Sequence, residues 1–195
     1  MVEQLEKNVF QALKCLKLKL CTAESITGGL LAESIVRQSG ASDVFDAAFV
    51  TYAESSKREV LGVTVEDVYT SQCVEQMCDG VKRLRPRCRL IIATSGFAQR
   101  PENPTKEYGT YFCISYKNNK YTSFISCDCD GVKNRSRNEI REHVKNYVLM
   151  SLLDILYQDL QQDISISDYL QEQENIPVTP KFKKDPKQNR RSSHD

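Results

Sequence analysis

Residues 21–36 read CTAESITGGLLAESIV, and they place a serine and two adjacent glycines where a strand gives way to a helix. Gly28 and Gly29 are a poor way to begin a helix, because glycine costs about 1 kcal/mol relative to alanine there. Glycine is favoured where the backbone must approach a ligand closely, and a helix N-terminus offers free N–H groups and partial positive charge. The stretch therefore predicts a ligand-binding turn that faces either a phosphate or a developing oxyanion.

Hydrophobic periodicity extends this strand–turn–helix unit in both directions. Helices are predicted over residues 3–15, 30–36, 55–61, 71–84 and 138 to about 160. Strands are predicted over residues 16–22, 44–52, 90–94, 110–116 and 120–127, with the last two forming a hairpin around residues 117–119. Helices and strands alternate before the hairpin, which predicts a single three-layer α/β/α domain with a mixed sheet.

The composition of the chain argues against two classes of protein, dedicated nucleic-acid binders and membrane-spanning proteins. The net charge of +1 lacks the strong positive field of a dedicated nucleic-acid binder, and no apolar run approaches the ~20 residues that span a bilayer. The N-terminus lacks the features of a signal peptide, so we expect a cytoplasmic protein. Residues 1–165 are predicted to form the domain, and residues 166–195 a disordered basic tail, whose Arg-Arg-Ser-Ser sequence leaves nuclear access open.

Metal and cofactor binding are not expected from the sequence. Eight cysteines without a metal-ligand spacing are typical of reduced thiols, and five of them lie among apolar residues. Only two histidines, His143 and His194, are present, so no His/Cys cluster can be assembled.

Residues 23–29, AESITGG, resemble the signature of the CinA C-terminal domain family, the nicotinamide-nucleotide amidohydrolases. Ile26 stands where most members have cysteine. The similarity covers about residues 5–157, and its later blocks follow in the family's order: FVTY at 49–52, KREVLGV at 57–63, the helix at 70–77, TSGFA at 94–98 and YGT at 108–110.

The resemblance implies hydrolysis of the carboxamide of nicotinamide mononucleotide to nicotinate mononucleotide and ammonia, without a metal or cofactor. It places the reactive serine at Ser25 and the accompanying tyrosine and lysine at Tyr52 and Lys57. It also implies a small nucleotide substrate as the partner and, because related domains associate, a homo-oligomer.

The chemistry is plausible from the residues themselves. A serine hydroxyl needs a neighbouring base to attack an amide, and the histidines are in unpromising places. A lysine can be that base if burial lowers its pKa toward neutrality. We therefore expect Lys57 to deprotonate Ser25, with Tyr52 relaying or orienting the proton or donating to the oxyanion.

Further residues are candidates for substrate binding. Arg137 matches a phosphate in charge and geometry, although a solvated helix face is an equally good interpretation. Glu24 could orient Lys57 or cap the turn. The complete candidate set is Glu24, Thr27, Gly28, Gly29, Thr94, Ser95, Gly96 and Arg137.

Three alternatives remain open at the level of sequence. Ser25 taken alone is most often a helix N-cap. Residues 97–107 replace the glycine-rich loop usual in the family, which also allows a sensor or regulatory protein that binds a nucleotide-like ligand without turnover, or a hydrolase of a different small amide.

Overall fold

Residues 2–103 and 105–162 are described by the computed structural model, and they form five α-helices and five strands. The helices are α1 (Val2–Cys15), α2 (Leu30–Val36), α3 (Glu54–Leu61), α4 (Ser71–Leu84) and α5 (Arg137–Gln162). The strands are β1 (Leu20–Glu24), β2 (Phe45–Val50), β3 (Leu90–Gly96), β4 (Gly109–Tyr116) and β5 (Asn119–Ser126). They pair in the order β2–β1–β3–β4–β5, parallel across the first three strands and antiparallel across the last three.

Alternate residues of the sheet face two separate cores. Leu20 of β1 lies in the core beneath α1, α2 and α5, whereas Cys21 and Ala23 lie in the core beneath α3 and α4. Helices therefore cover both faces of the sheet. The predicted three-layer α/β domain with a mixed sheet is confirmed.

The strand predicted over residues 16–22 is wrong in its first half. Helix α1 ends in a turn, in which Lys17 has a left-handed φ of 51° and the Leu18 N–H donates to the Leu13 carbonyl at 3.0 Å. Leu18 is buried because the turn folds it onto the core. The alternation of leucine and lysine therefore reflects a turn anchored by apolar side chains, and the strand runs two residues beyond the predicted end.

Local signals correctly located the start of α4 and the end of α3, whereas the strand predicted over residues 44–52 is shorter and the one predicted over residues 90–94 runs to Gly96. The Thr70 hydroxyl accepts the Cys73 N–H at 3.2 Å and caps α4, and Gly62 ends α3 with a φ of 64°. The hairpin turn has two residues rather than three. Lys117 and Asn118 both have positive φ, of 49° and 65°, which matches the twist of a tight hairpin.

The parallel strands β1, β2 and β3 end at one edge of the sheet, and the chain leaves them at Ser25, Thr51 and Phe97. Open α/β sheets bind ligands at the carboxyl ends of their parallel strands. The predicted tail over residues 166–195 lies outside the described residues. None of the described helices combines the length and apolar character needed to cross a membrane.

Candidate active site

Ser25 and Lys57 form a buried pair at this edge of the sheet. The Lys57 Nζ lies 2.9 Å from the Ser25 Oγ, and the two residues are 2% and 6% exposed. Ser25 follows β1 directly, and Lys57 projects from α3 on the same side as Leu61. Helix α2 is instead preceded by Gly29 as its N-cap residue, so the interpretation of Ser25 as a helix N-cap is wrong.

Two backbone carbonyls fix the Lys57 amine in front of the serine. Its Nζ donates to the carbonyl oxygens of Thr51 at 2.8 Å and of Tyr52 at 3.0 Å. Burial lowers the pKa of Lys57, although the charges of Cys73 and Glu54 oppose the shift. In the structure the Lys57 Nζ also donates to the Ser25 Oγ at 2.9 Å. A neutral amine in the same place would keep two N–H groups for the carbonyls and direct its lone pair at the Ser25 hydroxyl. This is the arrangement that a general base needs.

The Tyr52 side chain does not take the place expected of a proton relay. Its ring is 56% exposed, and its hydroxyl accepts a hydrogen bond from the Arg137 guanidinium rather than contacting Ser25 through a hydrogen bond. Tyr52 contacts the Ser25–Lys57 pair through its backbone carbonyl, which accepts a hydrogen bond from Lys57. The expected contact between the Tyr52 hydroxyl and Ser25 is therefore wrong.

The glycine turn does not present its N–H groups to a ligand as expected. The Gly28 N–H donates to the Ser25 carbonyl at 3.0 Å, and the Gly29 N–H donates to the Glu24 carboxylate at 2.9 Å. Gly28 and Gly29 have φ values of 59° and 99°, so glycine is required by the shape of the turn. The assignment of both glycines to substrate binding is corrected to turn formation.

Glu24 is also a structural residue rather than a substrate contact. Its fully buried carboxylate accepts the N–H groups of Gly29, Leu31 and Ala32 and the Thr22 hydroxyl, at distances between 2.9 and 3.1 Å. A carboxylate at a helix N-terminus satisfies the unpaired donors and is favoured by the helix dipole. Of the two roles considered for Glu24, capping of the turn is therefore the one observed.

Arg141 holds the outer side of the same turn, although no role for it is predicted from the sequence. Its guanidinium donates to the carbonyls of Ile26 at 3.1 Å and Thr27 at 2.8 Å. A Cβ on Gly28 would lie 3.0 Å from Arg141 Nη2. Two side chains therefore fix the turn that carries Ser25. The Glu24 carboxylate accepts hydrogen bonds from backbone N–H groups, and the Arg141 guanidinium donates hydrogen bonds to backbone carbonyls.

Thr27, Thr94 and Ser95 point into the protein. The hydroxyls of Thr27 and Thr94 lie 3.0 Å apart and are fully buried, and the Ser95 hydroxyl donates to the Val68 carbonyl at 2.7 Å. These contacts join β3 to the serine turn and to the segment before α4. Assignment of the three residues to substrate binding is therefore corrected, whereas Gly96 does line the cleft described next.

A cleft of about 260 Å³ opens beside Ser25. We refer to it simply as the cleft. Arg137 lies at the wall of the cleft, and its role as a phosphate contact stays a prediction. Sequence reasoning did not predict Tyr69 as a residue of the cleft, because its only local signal is that it precedes Thr70, the N-cap of α4. It also assigned no role to Phe97 and Arg100. The residues that line the cleft are Ser25, Ile26, Tyr52, Tyr69, Gly96, Phe97, Ala98, Gln99, Arg100, Pro101 and Arg137.

The comparison with protein families now bears on this geometry. The model of the CinA C-terminal domain matches residues 2–156, which include every residue of the cleft. The chain belongs to the CinA C-terminal domain family. The family resemblance predicted from residues 23–29 is therefore confirmed.

Individual CinA relatives agree in sequence. A CinA-like protein of Thermotoga neapolitana is 34% identical over 155 residues, which are 73% of this chain and 38% of that protein. A CinA-like protein of Desulfosudis oleivorans is 37% identical over 144 residues, which are 69% of this chain and 33% of that protein. The matched part of the chain thus spans only about a third of the length of these relatives.

Solved structures of the CinA superfamily agree in fold. A superfamily protein from Klebsiella pneumoniae has a TM-score of 0.72 at 24% identity, over 81% of this chain and 99% of that one. The competence/damage inducible protein from Agrobacterium tumefaciens has a TM-score of 0.69 at 27% identity, over 78% of this chain and 94% of that one. Both therefore match the domain almost from end to end.

Proposed function

We propose that this CinA domain is an amidohydrolase that uses Ser25 as nucleophile and Lys57 as base, with nicotinamide mononucleotide as its substrate. The observation that carries the proposal is the 2.9 Å contact between the Lys57 Nζ and the Ser25 Oγ. Two carbonyls hold the amine there, and its pKa is lowered by burial. The resemblance of residues 23–29 implies the substrate class, and membership of the CinA C-terminal domain family is consistent with it.

The reaction divides into two steps with balanced proton transfers. Neutral Lys57 takes the Ser25 proton as the Oγ attacks the carboxamide carbon, and the C–N bond then breaks as Lys57 returns that proton to the departing ammonia. Water attacks the resulting ester with Lys57 again taking a proton, which returns to the Ser25 Oγ as the acid leaves. Lys57 supplies the base throughout, so the scheme requires no metal.

The cleft supports an anionic nucleotide. Arg137 lies at its wall and Arg100 lines it, so guanidinium groups are available for a phosphate. Arg100 is paired with the Asp128 carboxylate, whereas Arg137 donates to the Tyr52 hydroxyl and has no carboxylate partner among the described residues, so Arg137 is the better phosphate contact.

The test is ammonia release from nicotinamide mononucleotide by the wild type and by Ser25→Ala, with Ser34→Ala as the matched control. Ser34 is a buried serine of α2 whose hydroxyl donates to the Leu31 carbonyl, so its loss leaves the cleft intact. We expect release by the wild type and by Ser34→Ala, and none above background by Ser25→Ala. Full activity of Ser25→Ala would contradict the assignment of Ser25 as the nucleophile.

A different small amide is the second candidate substrate, favoured by the side chains that the loop at residues 97–107 places in the cleft. Phe97, Arg100 and Pro101 all line it. Ammonia release from a panel of aromatic and aliphatic carboxamides separates the candidates. Binding of nicotinamide mononucleotide without release from any amide would instead support the sensor or regulatory alternative.

A further inference from the structure

A second space, called the ring chamber below, adjoins the cleft and shares a wall with it. It has a volume of about 260 Å³, and Tyr69, Gly96 and Phe97 line both spaces. The rings of Tyr69 and Phe97 stack with centroids 3.9 Å apart and planes inclined by 22°. The reaction proposed above uses only the Ser25 side of this wall.

Four half-buried aromatic rings line the ring chamber in two contacting pairs. The second pair is Tyr111 and Phe124, whose centroids are 4.7 Å apart. Phe124 lies directly against Gly109, where an added Cβ would stand 2.4 Å from the ring. Aromatic side chains that converge on one concave space are typical of sites for flat, largely apolar groups.

The charges of the ring chamber select among such groups. Lys106 is paired with Asp67, which leaves the Glu107 carboxylate without a cationic partner among residues 2–103 and 105–162. Glu107 instead accepts the Tyr111 hydroxyl at 3.0 Å. A carboxylate with free lone pairs accepts further N–H donors and repels anions. The ring chamber thus differs in sign from the Arg137 side of the cleft.

We propose that the ring chamber binds a flat heteroaromatic ring that carries N–H donors and no negative charge, as a nucleobase does. The ring lies against the aromatic walls, and its N–H donors face Glu107. This inference rests on the ring chamber alone and is independent of the amidase reaction, because it concerns binding and not turnover.

Adenosine is the probe, since it carries an exocyclic amine and no phosphate. Its binding to the full chain is measured by calorimetry and by saturation-transfer NMR. We expect Phe124→Ala to weaken binding about tenfold, the scale of one base stacked on one aromatic side chain. The matched control is Tyr121→Ala. This variant removes a half-buried ring of the same strand, but one that packs against the core beneath α1, α2 and α5 rather than lining the ring chamber.

Glu107→Lys is a second variant that keeps the inference testable if Phe124→Ala fails to fold, because Glu107 is exposed. Reversal of its charge should also weaken adenosine binding about tenfold, without changing the reactivity of Ser25 toward a fluorophosphonate. Three results would overturn the inference: no adenosine binding, equal binding by Glu107→Lys and the wild type, or displacement of adenosine by inorganic phosphate, which would place it at the cleft arginines.

Discussion

Replacement of Lys57 by methionine tests the base assignment most directly. General bases contribute about 10²- to 10⁴-fold to a rate, and we expect a loss of that size in the reaction of Ser25. The variant also leaves the carbonyls of Thr51 and Tyr52 without their Lys57 partner, at roughly 1–3 kcal/mol each, while it removes a buried amine whose desolvation opposed folding. The folded state should therefore survive, with a net loss of no more than about 3 kcal/mol.

The pH dependence follows from the same lysine. Its pKa in the folded protein is lowered by burial below the ordinary value of about 10.4. Between these two pKa values the unfolded state binds more protons, so the free energy of unfolding of the wild type should rise with pH across that window. Below the folded pKa both states are protonated, and this contribution to the slope disappears. Lys57→Met should lack the rise.

Two assays measure these effects at each pH. Urea unfolding gives stability, and mass spectrometry gives the rate at which a fluorophosphonate modifies Ser25, a readout that needs no knowledge of the substrate. The rate should rise with pH around a midpoint below 10.4, because only neutral Lys57 accepts the proton. Lys82→Met is the control, since Lys82 also donates to a carbonyl, that of Cys88 at 2.6 Å. An unchanged Ser25 rate in Lys57→Met would refute the mechanism.

Three further predictions concern the supports of the site. Glu24→Gln should lower the free energy of unfolding in urea by about 1.5–3 kcal/mol, because a carboxylate that accepts four donors becomes an amide; a change below ~0.5 kcal/mol would contradict the cap. Arg141→Met should slow Ser25 modification roughly 10- to 100-fold by loosening the turn, whereas Arg137→Met should mainly raise KM for a phosphate-bearing substrate. Lys145→Met should cost about 1–3 kcal/mol in urea unfolding, because it removes the 2.9 Å partner of buried Glu6 and leaves that carboxylate only Arg37 at 3.5 Å, and the double variant with Glu6→Gln should recover part of the loss.

Short-range signals made most of the fold predictable. The boundaries of α4 follow from a cap at Thr70 and a proline two residues after its end, and the turn after α3 follows from Gly62. The strand at Leu20–Glu24 was placed too early because a turn carrying alternate leucines has the same pattern as a half-buried strand. Periodicity records burial, and it does not distinguish which backbone conformation achieves it.

The proximity of Ser25 and Lys57 was predictable from the sequence, but the surroundings of the pair were not, and the catalytic roles of both residues stay predictions. Ser25 and Lys57 were assigned by a motif and a fixed separation, and the fold brings them to 2.9 Å. The partners of the turn depend on contacts that no local pattern encodes: Arg141 reaches Ile26 from 115 residues away. The N–H groups of Gly28 and Gly29, which were predicted to face a ligand, therefore form hydrogen bonds within the turn.

The buried Glu24 carboxylate has a consequence for how this domain can diversify. It satisfies the positive end of α2 internally, so attraction for an anionic substrate would have to come from a cationic side chain such as Arg137. Under the proposed mechanism, Ser25 and Lys57 lie on rigid elements, whereas the residues that would select the substrate lie on a surface loop and a helix end. Exchange of those surface residues alone should then change the preferred amide without altering Ser25 or Lys57.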